Sequence, residues 1–274
     1  MRRPSVAGQF YAPDAAGLRK QIEGCFLHRL GLGRLPKAED KERDILGAVV
    51  PHAGYVYSGP EAAHVYYSIA GQKKPKTVVI LGPNHSGYGS AVAVSKESWK
   101  TPLGEAAIDS EAADFLRKNC DIIDADEVAH RYEHSIEVQL PFLQYIYRDF
   151  KFVPICIGIQ DLNTSEEIAQ CLGKIKDALI LASSDFTHYE PKEQAAAKDN
   201  KAIEHILNLD EKKFLQTVYD LDISICGYGP IATCIAAVKK LGATKAELLK
   251  YATSGDITGD DSSVVAYAAI VFKK

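Results

Sequence analysis

ILGAVVPHAGYVYSG, residues 45–59, joins a run of aliphatic and β-branched residues to a polar turn that carries His52. A short apolar run bounded by Pro and Gly reads as a buried strand. The pattern recurs twice: TVVIL (77–81) runs into GPNHSGYG with His85, and ALILAS (178–183) runs into SDFTHYE with Asp185 and His188. In α/β sheets ligands bind just beyond the carboxyl ends of strands. Three such loops bring three imidazoles to one crevice. Cys226 sits in a similar setting, ICGYGP (225–230), where Gly227, Gly229 and Pro230 mark a loop leading into a helix. A thiol near a helix amino terminus has a favoured thiolate.

Outward from these loops the chain alternates strand-like and helix-like segments. Strands are expected over 45–50, 77–81, 91–94, 151–158, 178–182, 248–253 and 264–272. Helices are expected over 60–70, 110–119 with Asp109 as cap, 134–147 with a kink or early break at Pro141, 165–176, 191–207, 211–219 and 230–241. This alternation predicts an α/β fold, one domain over residues 1–274, with a mixed or mostly parallel sheet covered by helices on both faces. No internal repeat, low-complexity tract or long linker is readable. The polar stretch GLGRLPKAEDKER (31–43) reads as an exposed loop.

Composition narrows the function classes. Formal charge is −4, and no dense Lys/Arg stripe interleaved with aromatics offers a nucleic-acid groove. The start, MRRPSVAGQFY, lacks the apolar core of a secretory signal, and no run reaches the ~18 apolar residues of a membrane span. A soluble, cytoplasmic protein without nucleic-acid or membrane partners is expected. Six cysteines are scattered without CxxC pairs, so most read as buried apolar thiols, Cys156 and Cys171 among them. P-loop, dinucleotide and GxSxG motifs are absent. Ser183 and Ser184 read as turn-shaping residues.

Imidazole and thiolate are good ligands for iron, copper or zinc, and three protein ligands with open positions describe a catalytic site. His52, His85 and Cys226 are the expected metal ligands. Asp185 and His188, three apart, suit a general base with a polar neighbour; Asp185 also reads as a cap or turn residue. In HRYEHSIE (130–137), the spacing of His130 and His134 puts two ligands on one helical face, but the HExxH order is missing. His134 is expected in the pocket as a polar donor beside the metal, and Glu137 reads as a helix-start cap at least as readily as a metal ligand. The acidic string SGDITGDDSS (254–263) lacks EF-hand spacing and reads as a loop.

The strings VAGQFY, PHAGYVYSG, LGPNHSGY, EHSIEVQLPFLQ, SSDFTHY, CGYGPI and SGDITGDDSSVVAYAAI occur in order over nearly the whole chain. Together they resemble the Memo (MEMO1-like) family, also called AmmeMemoRadiSam system protein B. The resemblance implies a fold like that of class III, or LigB-type, extradiol dioxygenases, which are non-haem iron(II) enzymes. It places His52, His85 and Cys226 at metal positions, and His188 as base with Asp185 beside it. In LigB-type enzymes the third ligand is a glutamate; the softer Cys226 shifts preference towards copper or zinc. Phe10 and Tyr57 match aromatic positions of the pocket that binds phosphotyrosine peptides in eukaryotic relatives, with Phe10 where those relatives have Trp. The family name also implies an AMMECR1-like protein and a radical SAM enzyme as partners. Two function classes follow: a metal-dependent oxidoreductase acting on a small aromatic substrate, or a non-catalytic module binding a peptide, small ligand or partner protein in the same pocket.

Overall fold

The computed structural model describes residues 1–274. The first half comprises α1 (Ala15–Leu27), β1 (Ile45–Val50), α2 (Tyr55–Ala70), β2 (Thr77–Pro83), β3 (Val92–Val94), β4 (Trp99–Thr101), β5 (Gly104–Ile108), α3 (Ser110–Asn119) and β6 (Asp124–Ala125). A single 3-10 turn, Glu137–Gln139, then leads into α4 (Leu140–Tyr147), β7 (Lys151–Ile157), α5 (Leu162–Leu172), β8 (Ala178–Ser183) and β9 (His188–Glu190). The chain closes with α6 (Lys192–Leu207), α7 (Glu211–Asp220), α8 (Tyr228–Lys240), β10 (Lys245–Thr253), α9 (Gly255–Thr258) and β11 (Val264–Lys273).

The strands form one mixed sheet in the order β10-β11-β1-β8-β2-β7-β3-β6. Its centre, β1-β8-β2-β7, is parallel, and its flanks at β11, β10 and β3 are antiparallel. Every residue of β1, β2 and β8 is buried, as is all of β7 after Lys151, which explains their unbroken apolar sequences. Helices α1, α2 and α4 pack on one face, and α3, α5, α7 and α8 on the other, with α6 beside α7. No helix is long and apolar enough to cross a membrane.

Two glycines permit close approaches that matter for the site. A Cβ on Gly47 would stand 2.7 Å from the Ile180 carbonyl oxygen and from Val238 Cγ1, so α8 lies tight against β1 and β8. A Cβ on Gly82 would collide with Ser135 Oγ and stand 2.7 Å from Ile136 Cγ1. Only glycine there lets the 133–139 segment cross the end of β2.

The expected helix over 60–70 begins earlier, at Tyr55, with Pro60 inside it. Pro60 removes only the bond to the Val56 carbonyl, one turn from the helix start, where Val56 is exposed. The expected helix over 134–147 breaks as Pro141 implied: α4 proper starts at Leu140, with the proline in its first turn. Helix α1 and the hairpin β4–β5 went unread in the sequence. The acidic string 254–263 includes the short α9, ended by Gly259 at φ +80°.

Helix α2 also carries Glu61, fully buried, with no partner on either carboxylate oxygen. Burial raises its carboxyl pKa to about 7. The folded state therefore keeps a proton that the unfolded chain releases near pH 4.3. That stability is fully present below the unfolded pKa and is lost as pH rises towards 7. Denaturant titrations at pH 4.5 and 7.5 should show the wild type losing a few kcal/mol over this window, whereas Glu61→Gln should show a flatter profile.

Candidate metal centre

The site lies at the carboxyl ends of β1, β2 and β8. His52 is two residues beyond β1, His85 two beyond β2, and Asp185 two beyond β8. His134 arrives from the segment crossing β2, and Cys226 immediately precedes Gly227, the N-cap of α8. Ring centroids of His52 and His85 are 5.2 Å apart, His52 and His134 5.4 Å, and His85 and His134 4.7 Å in a stacked pair. The ligand atoms of His52, His85 and His134 all lie within 4.8 Å of one another, close enough to hold a metal ion.

Hydrogen bonding fixes which ring nitrogen of His52 faces the cavity. Ser183 Oγ has one proton and three neighbours: the Ser135 carbonyl at 2.6 Å, Gln139 Nε2 at 2.7 Å and His52 Nδ1 at 3.0 Å. The carbonyl can only accept, so the hydroxyl donates there, and it accepts from Gln139 and from His52 Nδ1–H. The lone pair of His52 is therefore on Nε2, 3.1 Å from Cys226 Sγ, whose S–H donates to it. An ion bound by both atoms would hold them about 3.5 Å apart. Little movement separates the two arrangements.

Glu133 does the same for His85. It is fully buried, and Oε1 accepts from His85 Nδ1 at 3.0 Å and from the backbone N–H groups of His134 and Ser135 at 2.8 Å each. Oε2 accepts from the His85 backbone N–H at 2.6 Å. Burial pushes this carboxyl up, yet the His85 hydrogen bond, the two imidazoles and the backbone donors together hold it well below the usual range. A carboxylate on the far nitrogen of a ligating histidine fixes its tautomer and raises its basicity.

The other pH-sensitive groups follow from burial. His52 is held far below the ordinary imidazole range by desolvation and by His134 and His85 beside it. His134 is lowered for the same reasons, against Glu133. Both are neutral near pH 7, as metal ligation requires. Burial pushes the Cys226 thiol up, Asp185 adding to it, despite donation from the Asp185 N–H at 3.3 Å. The thiolate expected from the helix start is thus overturned without a cation, because desolvation outweighs the helix terminus. Burial raises Asp185 to about 6.

Asp185 Oδ1 accepts from the backbone N–H of His52 at 2.7 Å and of Ala53 at 3.3 Å, so its carboxylate pins the turn after β1. His188 Nδ1 donates to the Ser224 carbonyl at 2.8 Å, so the tautomer that carries its lone pair on Nε2 is the one selected in the neutral ring. His188 lines the same cavity, of about 510 Å³, together with Phe10, His52, His85, His134 and Cys226. Phe10 lies 4.8 Å from the His134 ring. Tyr57, expected with Phe10, instead lines a neighbouring groove of about 240 Å³ that shares Phe10 and Gly54 with the cavity. Its position in the first turn of α2 turns it outward. His130 is buried away from the cavity, bonding the Ala93 carbonyl.

Glu137 proves structural. Its carboxylate accepts from Arg2, from the Ser5 and Val6 backbones and from the Ser5 and Tyr11 hydroxyls, tying down the amino-terminal segment that carries Phe10. Sequence reasoning missed the supports Glu133, Ser183 and Gln139. Glu133 stands in the HRYEHSIE string with no role assigned from its spacing, and Ser183 reads as a turn residue.

Residues 2–271 match the model of a family described as Memo-like protein. The chain belongs to that family. A MEMO1 family protein of Methanopyrus kandleri is 53% identical across 100% of this Memo-like chain and 99% of its own length. One from Sulfolobus acidocaldarius is 50% identical, covering 99% of each chain. A solved structure of an uncharacterized protein from Escherichia coli K12 superposes with a TM-score of 0.58 at 14% identity, covering 84% of the Memo-like chain and 100% of that chain. At that identity the likeness shows a shared fold.

The Glu133 arrangement yields a test. Glu133→Gln replaces one acceptor oxygen with a donor facing either an N–H or the His85 ring. Zinc affinity measured by chelator competition should fall about 10- to 100-fold. Unchanged affinity would show that His85 needs no carboxylate support.

Proposed function

We propose that this Memo-like protein is a metal-dependent oxidoreductase acting on a small aromatic substrate, with His52, His85 and Cys226 as metal ligands and His134 beside them. The observation that carries the reading is the enforced tautomer of His52: its Nε2 lone pair is aimed at Cys226 in a cavity that also receives His85 and His134. Sulfur and imidazole donors suit iron(II), copper or zinc. Such an ion, when bound, would supply redox or Lewis-acid chemistry and would reverse the upward push on the Cys226 thiol.

The residues around it have separable tasks. Phe10 offers an aromatic wall for a ring. His188, with Nδ1 tied to Ser224, has Nε2 available to take a proton from a substrate hydroxyl and return it later. Asp185 holds the His52 turn in place. The likeness to extradiol dioxygenases is a fold-level analogy and supplies the first substrates to try, catechols with dioxygen as oxidant.

A second reading, a binding module, has one observation in its favour: the groove bearing Tyr57 adjoins the cavity through Phe10, giving an extended ligand a path across both. Anaerobic loading with iron(II), followed by oxygen uptake in the presence of catechols, separates the two. Substrate-dependent uptake is expected. His188→Gln should keep its metal and lose roughly 10²- to 10⁴-fold in turnover, whereas His52→Ala should lose the metal. Absence of uptake with iron verifiably bound would favour the binding module.

The third ligand has its own readout. Cobalt(II)-loaded protein should show a thiolate-to-cobalt charge-transfer absorption in the near ultraviolet, lost in Cys226→Ser and kept in His134→Ala. The reverse pattern would assign the third position to His134.

A further inference from the structure

Two cysteines outside the metal centre face one another across the seam between α3 and α5. Cys120 caps the carboxyl end of α3, and Cys171 lies in the last turn of α5. Each sulfur reaches the other's backbone neighbourhood. Cys171 Sγ donates to the carbonyl of Asn119, the residue before Cys120, at 2.9 Å. Cys120 Sγ lies 3.9 Å from the carbonyl of Glu167, one helical turn before Cys171. This reciprocal arrangement leaves the two thiols as neighbours. Both border a surface cavity of about 410 Å³ that also meets Asp121, Glu166, Glu167 and Lys174. Burial first, and then the Cys171 thiol beside it, raise the Cys120 pKa to about 12.

We propose that Cys120 and Cys171 form a reversible disulfide that clamps α3 to α5 under oxidising conditions. A metal role is not supported, because neither Cys120 nor Cys171 belongs to a group of three or more donors close enough to hold an ion. The acidic rim disfavours an anionic disulfide reagent, so the matching oxidant is a small neutral hydroperoxide. One thiolate attacks a peroxide oxygen; the O–O bond breaks, water or an alcohol leaves, and a sulfenic acid remains. The second sulfur then displaces hydroxide, which departs as water with the thiol proton. The peroxide gains two electrons and the thiol pair loses two. Where Cys120 is the attacking thiol, its high proton affinity makes the first step slow at neutral pH and faster in alkali, in keeping with a switch that answers sustained oxidation.

The covalent link would close a loop holding β6, β7 and the whole 133–139 segment, with Glu133 and His134 inside it. Clamping that loop restricts the unfolded chain, so thermal stability should rise.

The test uses the full chain treated with hydrogen peroxide well below its melting temperature, then denatured, alkylated and digested without reductant. The expected product is a cross-linked peptide pair containing Cys120 and Cys171, cleaved by dithiothreitol, with a melting temperature higher by roughly 5 °C or more. Cys120→Ser and Cys171→Ser should each abolish both effects. The peptide map of the wild type stands by itself if either variant folds poorly. Full alkylation of both cysteines while Cys226 is oxidised would overturn the proposal. Independent over-oxidation without a cross-link, or a cross-link formed only once the protein begins to melt, would overturn it equally.

Discussion

The metal-facing geometry depends on one packing constraint: the 133–139 segment must lie across the carboxyl ends of β1, β2 and β8. Gly82 makes that approach sterically allowed, and Ser183 Oγ, at the end of β8, locks it by donating to the Ser135 carbonyl. The same hydroxyl accepts from Gln139, whose amide also reaches the Pro51 carbonyl at 3.0 Å. One polar node thus joins three strand ends and sets the His52 tautomer. Buried networks of this kind are valuable only when every member is satisfied, since an orphaned partner costs about 1–3 kcal/mol. Here the directions of donation leave no conflict.

Two buried carboxylates in the same segment divide the labour. Glu133 faces the metal side and organises His85 and His134. Glu137 faces the amino-terminal segment, where its ion pair with Arg2 measures 2.7 Å with both side chains nearly inaccessible. Arg2 spends its remaining donors on the carbonyls of His130 at 2.7 Å and Glu133 at 2.6 Å, and its guanidinium lies 4.0 Å from the centre of the Trp99 ring. A buried ion pair often gains little net stability over an apolar replacement. Its value here is positional: it fixes the start of the chain against the segment that carries His134, and so sets Phe10 beside that ring.

The strands and their histidine turns were legible because each is a local pattern, an apolar run followed by turn-forming residues such as Pro, Gly, Asn, Ser or Asp. Helices such as α3, with Asp109 accepting from the Ala112 N–H at 3.1 Å, were legible for the same reason. Hairpin β4–β5 was not, because its strands are short: Trp99 and Thr101 are buried around an exposed lysine, an alternation only three residues long that does not stand out from a loop. Glu133 and Ser183 escaped because their meaning lies in contacts between residues 48 apart in the chain, made in both cases across different strand ends. Tyr57 was misplaced for a related reason. The family resemblance sets it beside Phe10 in the pocket, while the early start of α2 at Tyr55 rotates it into the adjoining groove.

The donor set itself decides how the centre answers a change of metal. With His52, His85 and His134 alone, the protein offers imidazole donors that bring no negative charge, and leaves the full charge of a divalent ion to be balanced by its surroundings. Glu133 lies one imidazole away and Asp185 is committed to backbone donors, so the nearest ligand able to neutralise the ion directly is Cys226. Its thiol is held protonated by desolvation, and giving up that proton is favourable only when a cation arrives. On the proposed assignment of Cys226 as a ligand, metal uptake would release a proton and binding would tighten as pH rises. A soft thiolate there would weight selection towards ions that form strong bonds to sulfur, whereas imidazoles discriminate less. The carboxyl ends of three parallel strands set the place of the site, and the proposed sulfur ligand would set its preference.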